Sequence, residues 1–216
     1  MALTKAQMAQ RIARDVPPGA YVNLGVGIPT LVAGYIPPEA EVVFHSENGI
    51  LGIGGPAPPG EEDPDLVDAG KNAVTVRPGA AFFHHADSFA MLRGGRVDIA
   101  VLGAYQVSAA GDLANWKVPG GGVPNVGGAM DIVAGVKQVW VVMTHTGPDG
   151  RPKILPECTY PLTAKRVVRR IYTDLAVLEV TPAGPALIEV SPGVTVAQVV
   201  AATGTALTVP EALQRA

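Results

Sequence analysis

The stretch EVVFHSENGILGIGG, residues 41–55, sets the fold class and raises the first functional question. Residues 41–45 read as a short apolar strand, and Asn48-Gly49 is a strong turn signal. Between them sits a carboxylate, Glu47. Its neighbours are Val42, Val43 and Phe44 on one side and Ile50, Leu51 and Ile53 on the other. For a glutamate before Asn-Gly, a solvated turn residue is the ordinary reading. Here the chain leaves a buried strand and enters an aliphatic segment poor in polar partners. A carboxylate stripped of water is a far better nucleophile than a hydrated one. Its adducts with acyl groups are high-energy anhydrides or esters, which points to activated acyl groups such as thioesters as targets.

Outward from this stretch, strand patterns alternate with short helical ones. Thr4 and Gln7 form a capping box for a helix that stops before Pro17-Pro18. AYVNLGVG is a strand entering a glycine turn, with Pro29 placed to open a short helix over residues 30–35. Residues 54–72 are a polar, proline-rich loop long enough to serve an edge or an interface. AVTV and AAFF read as two short strands around Arg77-Pro78-Gly79, and DSFAMLRGG as a helix with Asp87 at its start. VDIAVLG (residues 97–103) and QVWVVM are strands buried on both faces. LAVLEV and ALIEV read as a closing pair, and Thr195 with Gln198 caps a last helix ended by Gly204. This order predicts a single open, layered α/β domain over residues 1–216 around a central mixed, largely parallel sheet, with a short tail after about residue 209. In such sheets function gathers at the C-terminal ends of the strands. The glycine-rich stretches after YVNL, EVVFH and VDIAVLG fall at such ends.

Composition narrows the classes. The 216 residues are 48% hydrophobic and 16% charged with a net charge of −3, so the basic face that nucleic acids and anionic membranes require is not expected. The apolar runs are far shorter than the roughly 20 residues of a membrane span, and the N-terminus has no signal-peptide pattern. One cysteine, Cys158, excludes an internal disulfide and suits a cytoplasmic setting.

Other chemistry is weaker. GVGIPT (residues 25–30) lacks the third glycine of a dinucleotide fingerprint, so a tight turn lining a pocket is the better reading. The histidines, His45, His84, His85 and His145, have no metal-ligand spacing, and no metal is expected. Cys158 has no glycine elbow or helix N-terminus to lower its pKa. GGGVPNVGGAMD, running into a helix at about Met130-Asp131, is either a flexible loop or a set of backbone N–H groups suited to an oxyanion.

FHSENGILG, GDLANW and GGAMD, in that order, resemble the B subunit of the family I, 3-oxoacid-type CoA-transferases, and the resemblance runs from YVNLGVGIPT to TGTALTV. It implies that CoA moves between carboxylic acids through a glutamyl-CoA thioester on Glu47, with succinyl-CoA as donor and acetoacetate or 3-oxoadipate as acceptor. It also implies the backbone N–H of Gly128 as oxyanion donor, with Gly127 as second choice, and Asn48, Gly49, Gly25 and Gly27 as substrate-binding positions. Coenzyme A would be a substrate and no cofactor would be held permanently. The family's other half resides on an A subunit, which implies an A₂B₂ assembly in the cytoplasm. The rival readings are an isomerase-like member of the same fold group, with a carboxylate base and a phosphorylated ligand, and a non-catalytic sensor. The sequence places no basic phosphate clamp beside Glu47, and a sensor need not keep the intact Ser46-Glu47-Asn48-Gly49.

Overall fold

The computed structural model describes residues 2–121, 124 and 127–214. Helix α1 (Lys5–Ala13) starts at the Thr4–Gln7 capping box, with both reciprocal hydrogen bonds formed. Strand β1 (Tyr21–Leu24) follows, then a 3-10 helix (Ile28–Tyr35), β2 (Val43–Ser46), β3 (Ile50–Pro56) and β4 (Val74–Phe82). Next come α2 (His85–Arg93), β5 (Ile99–Gly103), β6 (Gln106–Ser108), β7 (Leu113–Ala114), α3 (Ala129–Gly135), β8 (Gln138–Val142) and β9 (Ile154–Leu155). The chain closes with β10 (Val168–Tyr172), β11 (Ala176–Thr181), β12 (Gly184–Val190), α4 (Val196–Ala202) and α5 (Glu211–Gln214).

Nine strands form one sheet in the order β12-β11-β10-β8-β5-β1-β2-β3-β4. Its middle, from β10 through β8, β5 and β1 to β2, is parallel. Two antiparallel strands extend each edge, β11 and β12 on one side and β3 and β4 on the other. The mixed, largely parallel sheet read from the sequence is therefore what forms. A small second sheet, β7-β6-β9, stands beside it. Apolar side chains alternate between the faces. Val22, Leu24 and Phe44 pack under α1 and the 3-10 helix, whereas Ala100, Leu102, Val139 and Val141 pack with Phe89, Leu92, Ile132 and Val133 of α2 and α3.

Several local expectations are corrected. The helix after Pro29 is a 3-10 helix, Ile28–Tyr35, that begins two residues before the expected start and ends ahead of Pro37-Pro38. The stretches around Pro78 are one strand, β4. It lies at the sheet edge, and a register shift against β3 accommodates a proline with no N–H to donate. Strand β3 runs to Pro56 and shortens the long loop. Helix α2 is capped by the His84 side chain, which accepts from the Ala86 N–H at 3.1 Å, and Asp87 sits in its first turn. Strand β10 carries Arg169 and Arg170 within VRRIY, a pattern with too few apolar positions to stand out as a strand.

The chain order creates a switch point. From β1 the next parallel strand, β2, lies on one side, and β5 lies on the other. The C-terminal ends of two such neighbours diverge and leave a crevice between them. Gly25 leaves β1 there, Gly103 ends β5, and Glu47 follows β2.

Candidate active site

A cavity of about 680 Å³ opens at that crevice. Gly25 and Val26 line it beyond β1, Glu47 beyond β2, Leu102 to Tyr105 at the end of β5, and Val142 to Thr144 at the end of β8. Gly127, Gly128 and Ala129 close it from the start of α3. Thus Glu47, Gly25, Gly127 and Gly128, up to about 100 residues apart in the chain, share one cavity. Residues 122, 123, 125 and 126 of the glycine-rich loop lie outside the described residues.

Glu47 is half-buried in a turn that needs glycine two residues on. Gly49 has φ +120°, and a Cβ there would sit 2.3 Å from the Phe83 carbonyl oxygen. The Gly49 N–H donates to the Ser46 carbonyl at 3.0 Å, and the Phe83 N–H donates to the Gly49 carbonyl at 3.0 Å. The long loop docks on the same turn. The Ala69 N–H donates to Ser46 Oγ at 3.0 Å, and Asn48 Nδ2 donates to the Val67 carbonyl at 2.8 Å. The Asn48 side chain therefore holds the loop, and Gly49 shapes the turn. Gly27, with φ +96°, caps the 3-10 helix, and its carbonyl accepts from Thr30 Oγ1 at 2.8 Å. Of the substrate-binding candidates, Gly25 lines the cavity, and Asn48, Gly49 and Gly27 do these neighbouring jobs.

Asn23, which the sequence reading missed, reaches the carboxylate. Its Nδ2 donates to Glu47 Oε2 at 3.0 Å. The same nitrogen lies 3.1 Å from His45 Nδ1 and 3.3 Å from the His45 carbonyl oxygen. Register explains the meeting: Asn23 and His45 are paired across the parallel strands β1 and β2, so their side chains share a face. On that face Ser88 of α2 sits 2.9 Å from His45 Nε2. Asn23, His45 and Ser88 are all fully buried, and burial lowers the His45 pKa to about 4, so the ring is neutral.

Two further residues come from afar. Asn115, in GDLANW, donates from Nδ2 to the Gly103 carbonyl at 3.1 Å and accepts from Thr163 Oγ1 at 2.6 Å, which fixes the end of β5 at the cavity wall. Lys153 lines the cavity, and its Nζ donates to Thr144 Oγ1 at 3.3 Å. Burial lowers its pKa, and the Asp174 charge opposes this. Among the described lining residues Lys153 is the cation and Glu47 the anion.

Cys158 does not line this cavity. Its thiol lies 3.7 Å from the Asp112 carbonyl oxygen, and burial, with Asp112 adding to it, raises its pKa to about 11. At neutral pH it is a thiol rather than a thiolate nucleophile. Among the described residues, no cluster of three or more His, Cys, Asp or Glu could hold a metal ion, and no helix is long and apolar enough to cross a membrane.

The coenzyme A transferase family model matches residues 5–202. The B subunit of the 3-oxoadipate CoA-transferase of Pseudomonas putida is 60% identical over 189 residues, 87% of this chain and 88% of the relative. The B subunit of the succinyl-CoA:3-ketoacid coenzyme A transferase of Helicobacter pylori is 50% identical over 190 residues, 88% of this chain and 91% of the relative. An acyl-CoA transferase of Escherichia coli O157:H7 superposes with a TM-score of 0.76 at 22% identity, a likeness of fold. The match covers 99% of this chain and 44% of that one, so this chain spans less than half the length of that structure.

Proposed function

The chain belongs to the coenzyme A transferase family, and on that premise we propose that it is the B subunit of a succinyl-CoA:3-oxoacid transferase with Glu47 as nucleophile. One observation carries the reading: Glu47 and Gly128 line a single cavity at the switch point of the sheet. We assign 3-oxoadipate first as acceptor and acetoacetate second, a choice supported by the higher identity to the 3-oxoadipate relative of Pseudomonas putida, 60% against 50%.

The chemistry is two symmetric acyl exchanges. Asn23 holds Glu47 Oε2, and Oε1 attacks the thioester carbonyl carbon of succinyl-CoA. The C–S bond breaks and the CoA thiolate leaves with its electron pair, giving an acyl-glutamyl anhydride. The thiolate then attacks the Glu47 carbonyl carbon, the C–O bond to succinate breaks, and a glutamyl-CoA thioester remains. The acceptor carboxylate runs the sequence in reverse, and Glu47 is restored with no net change in protons or oxidation state. Each attack places negative charge on a carbonyl oxygen. The Gly128 N–H is the donor we assign to it, with Gly127 the alternative. Donors already fixed in place where charge develops lower the barrier without reorganisation. Lys153 supplies positive charge in a cavity that must hold carboxylates.

Gly25 forms part of the substrate wall, while Asn48, Gly49 and Gly27 act by shaping the turns around it. The relatives are named as subunits, and we assign an A subunit as partner, in an A₂B₂ assembly in the cytoplasm. Coenzyme A enters as substrate, with no permanently held cofactor. The test is reconstitution: the chain alone, the chain with an A subunit, and the Glu47→Ala chain with its A partner, each given succinyl-CoA and a panel of carboxylic acids. Transfer only in the assembled wild type, fastest to 3-oxoadipate, is expected. Near-normal transfer by folded Glu47→Ala would overturn the assignment.

A further inference from the structure

The Glu47 carboxylate and the His45 ring share one donor, the side-chain nitrogen of Asn23. We propose that His45 is a positioning residue for Glu47, acting through the Asn23 amide, and that Ser88 fixes the tautomer that lets it do so. The inference rests on the reading of Glu47 as nucleophile.

Counting donors against acceptors fixes each group's role. The Asn23 amide nitrogen has two hydrogens and faces three acceptors: Glu47 Oε2 at 3.0 Å, His45 Nδ1 at 3.1 Å and the His45 carbonyl at 3.3 Å. One hydrogen goes to the carboxylate, and the other is shared between the ring nitrogen and the carbonyl. For Nδ1 to accept, the ring must be neutral with its proton on Nε2. Ser88 Oγ, 2.9 Å from Nε2, accepts that proton's hydrogen bond, and its own hydrogen points toward the Ser46 carbonyl at a long 3.5 Å. Every donor hydrogen in the chain from Ser46 to Glu47 then has an acceptor.

The opposite amide orientation shows what His45 prevents. Turned over with the ring proton kept on Nε2, Asn23 would present Oδ1 to the Glu47 carboxylate and to Nδ1, acceptor against acceptor. In the observed orientation Asn23 Oδ1 is buried with no partner. An unpartnered buried acceptor is unfavourable, so the amide is held from its nitrogen side alone. His45 and Glu47 are the groups that hold it. With an apolar residue at 45 the ring acceptor is lost, only the Glu47 carboxylate and the long contact to the residue-45 carbonyl hold the amide nitrogen, and the donor that fixes Oε2 is less firmly placed.

The experiment compares His45→Leu, which keeps bulk but removes the acceptor, with His45→Asn, whose Oδ1 can stand near the position of Nδ1. Both are measured in the assembled enzyme, alongside Ser88→Ala. The readouts are kcat, KM for succinyl-CoA, the rate at which CoA becomes attached to Glu47 without acceptor, and the thermal midpoint. Misplacement of a reacting group by about 1 Å costs on the order of 100-fold. His45→Leu is therefore expected to lower kcat and the attachment rate by roughly 10- to 100-fold with KM nearly unchanged. His45→Asn should recover most of the loss, and Ser88→Ala should give a smaller fall. Wild-type rates in His45→Leu, or equal losses in His45→Asn and His45→Leu at equal thermal midpoints, would overturn the inference. If His45→Leu does not fold, Ser88→Ala decides: a kcat equal to wild type overturns it, and a fall at unchanged KM supports it. A wild-type enzyme that forms no adduct on Glu47 would instead overturn the functional reading and leave the network's geometry standing.

Discussion

Replacing Gly49 by alanine tests whether a left-handed glycine and a close backbone approach build the turn that presents Glu47. Two effects oppose the methyl group. At φ +120° an L-residue lies in backbone territory that favours glycine, which costs roughly 1–2 kcal/mol. The new Cβ would also sit 2.3 Å from the Phe83 carbonyl oxygen, a backbone atom held in the β3–β4 ladder region, and overpacking of this kind typically costs about 1–3 kcal/mol. Together they predict a loss of about 2–5 kcal/mol. For a chain of this size that corresponds to a fall of roughly 10 °C in the thermal midpoint. Two further glycines separate the effects. Gly27 has φ +96° but open space where its Cβ would stand, so Gly27→Ala should show the backbone cost alone. Gly55 has neither a positive φ nor a near neighbour, so Gly55→Ala should change stability little. Thermal unfolding of the three purified variants should give the order Gly55→Ala, Gly27→Ala, Gly49→Ala, from least to most destabilised. A Gly49→Ala protein as stable as Gly55→Ala would refute this account of the turn.

Glu47→Asp withdraws the carboxylate by about one bond length and should lower transfer by roughly 100-fold or more while the fold is kept, as read by steady-state assay and circular dichroism. Gly128→Ala retains the N–H, but its Cβ would meet the Phe89 ring at 2.4 Å and displace the backbone, so kcat should fall by on the order of 100-fold with a modest change in KM. Gly127→Ala meets nothing within 4 Å and should stay close to wild type, and the reverse result would move the oxyanion role to Gly127. Acid should destabilise the chain through His45 and His145, each with a folded pKa lowered by burial from 6.5 to about 4. Above pH 6.5 both states are neutral and no penalty exists. As pH falls toward 4 the unfolded chain takes up the protons first, and each histidine removes up to about 3 kcal/mol. Denaturant titrations at pH 7 and pH 4.5 measure the loss, and His145→Gln should lessen it.

How much of this was legible in the sequence depends on how local each signal is. The turn after β2 was readable because Asn48-Gly49 is a local device, and Glu47 stood out against its apolar flanks. Both capping boxes were readable for the same reason. The cavity's glycines were readable as glycines, but that Gly25 and Gly128 meet at one crevice follows from strand order, which no short stretch encodes. Asn23 looked like one polar residue in an apolar strand, although asparagine is disfavoured in strands and could have been questioned on that ground. Its role depends on the β1–β2 register, which aligns it with His45, and on α2 bringing Ser88 from 43 residues beyond His45. Lys153 precedes the short strand β9 and reaches the cavity through the small second sheet, whose strands are too brief to read from periodicity. Strands β3 and β10 were missed because glycines in one and arginines in the other break the apolar pattern.

The most direct test of the central claim is the mass of the chain after the assembled enzyme meets succinyl-CoA without an acceptor. The account predicts a CoA-sized adduct on this chain, mapping by peptide digestion to Glu47 and lost when 3-oxoadipate is added. An adduct on Cys158, whose thiol lies away from the cavity with its pKa raised to about 11, or no adduct in an enzyme that still transfers CoA, would contradict it.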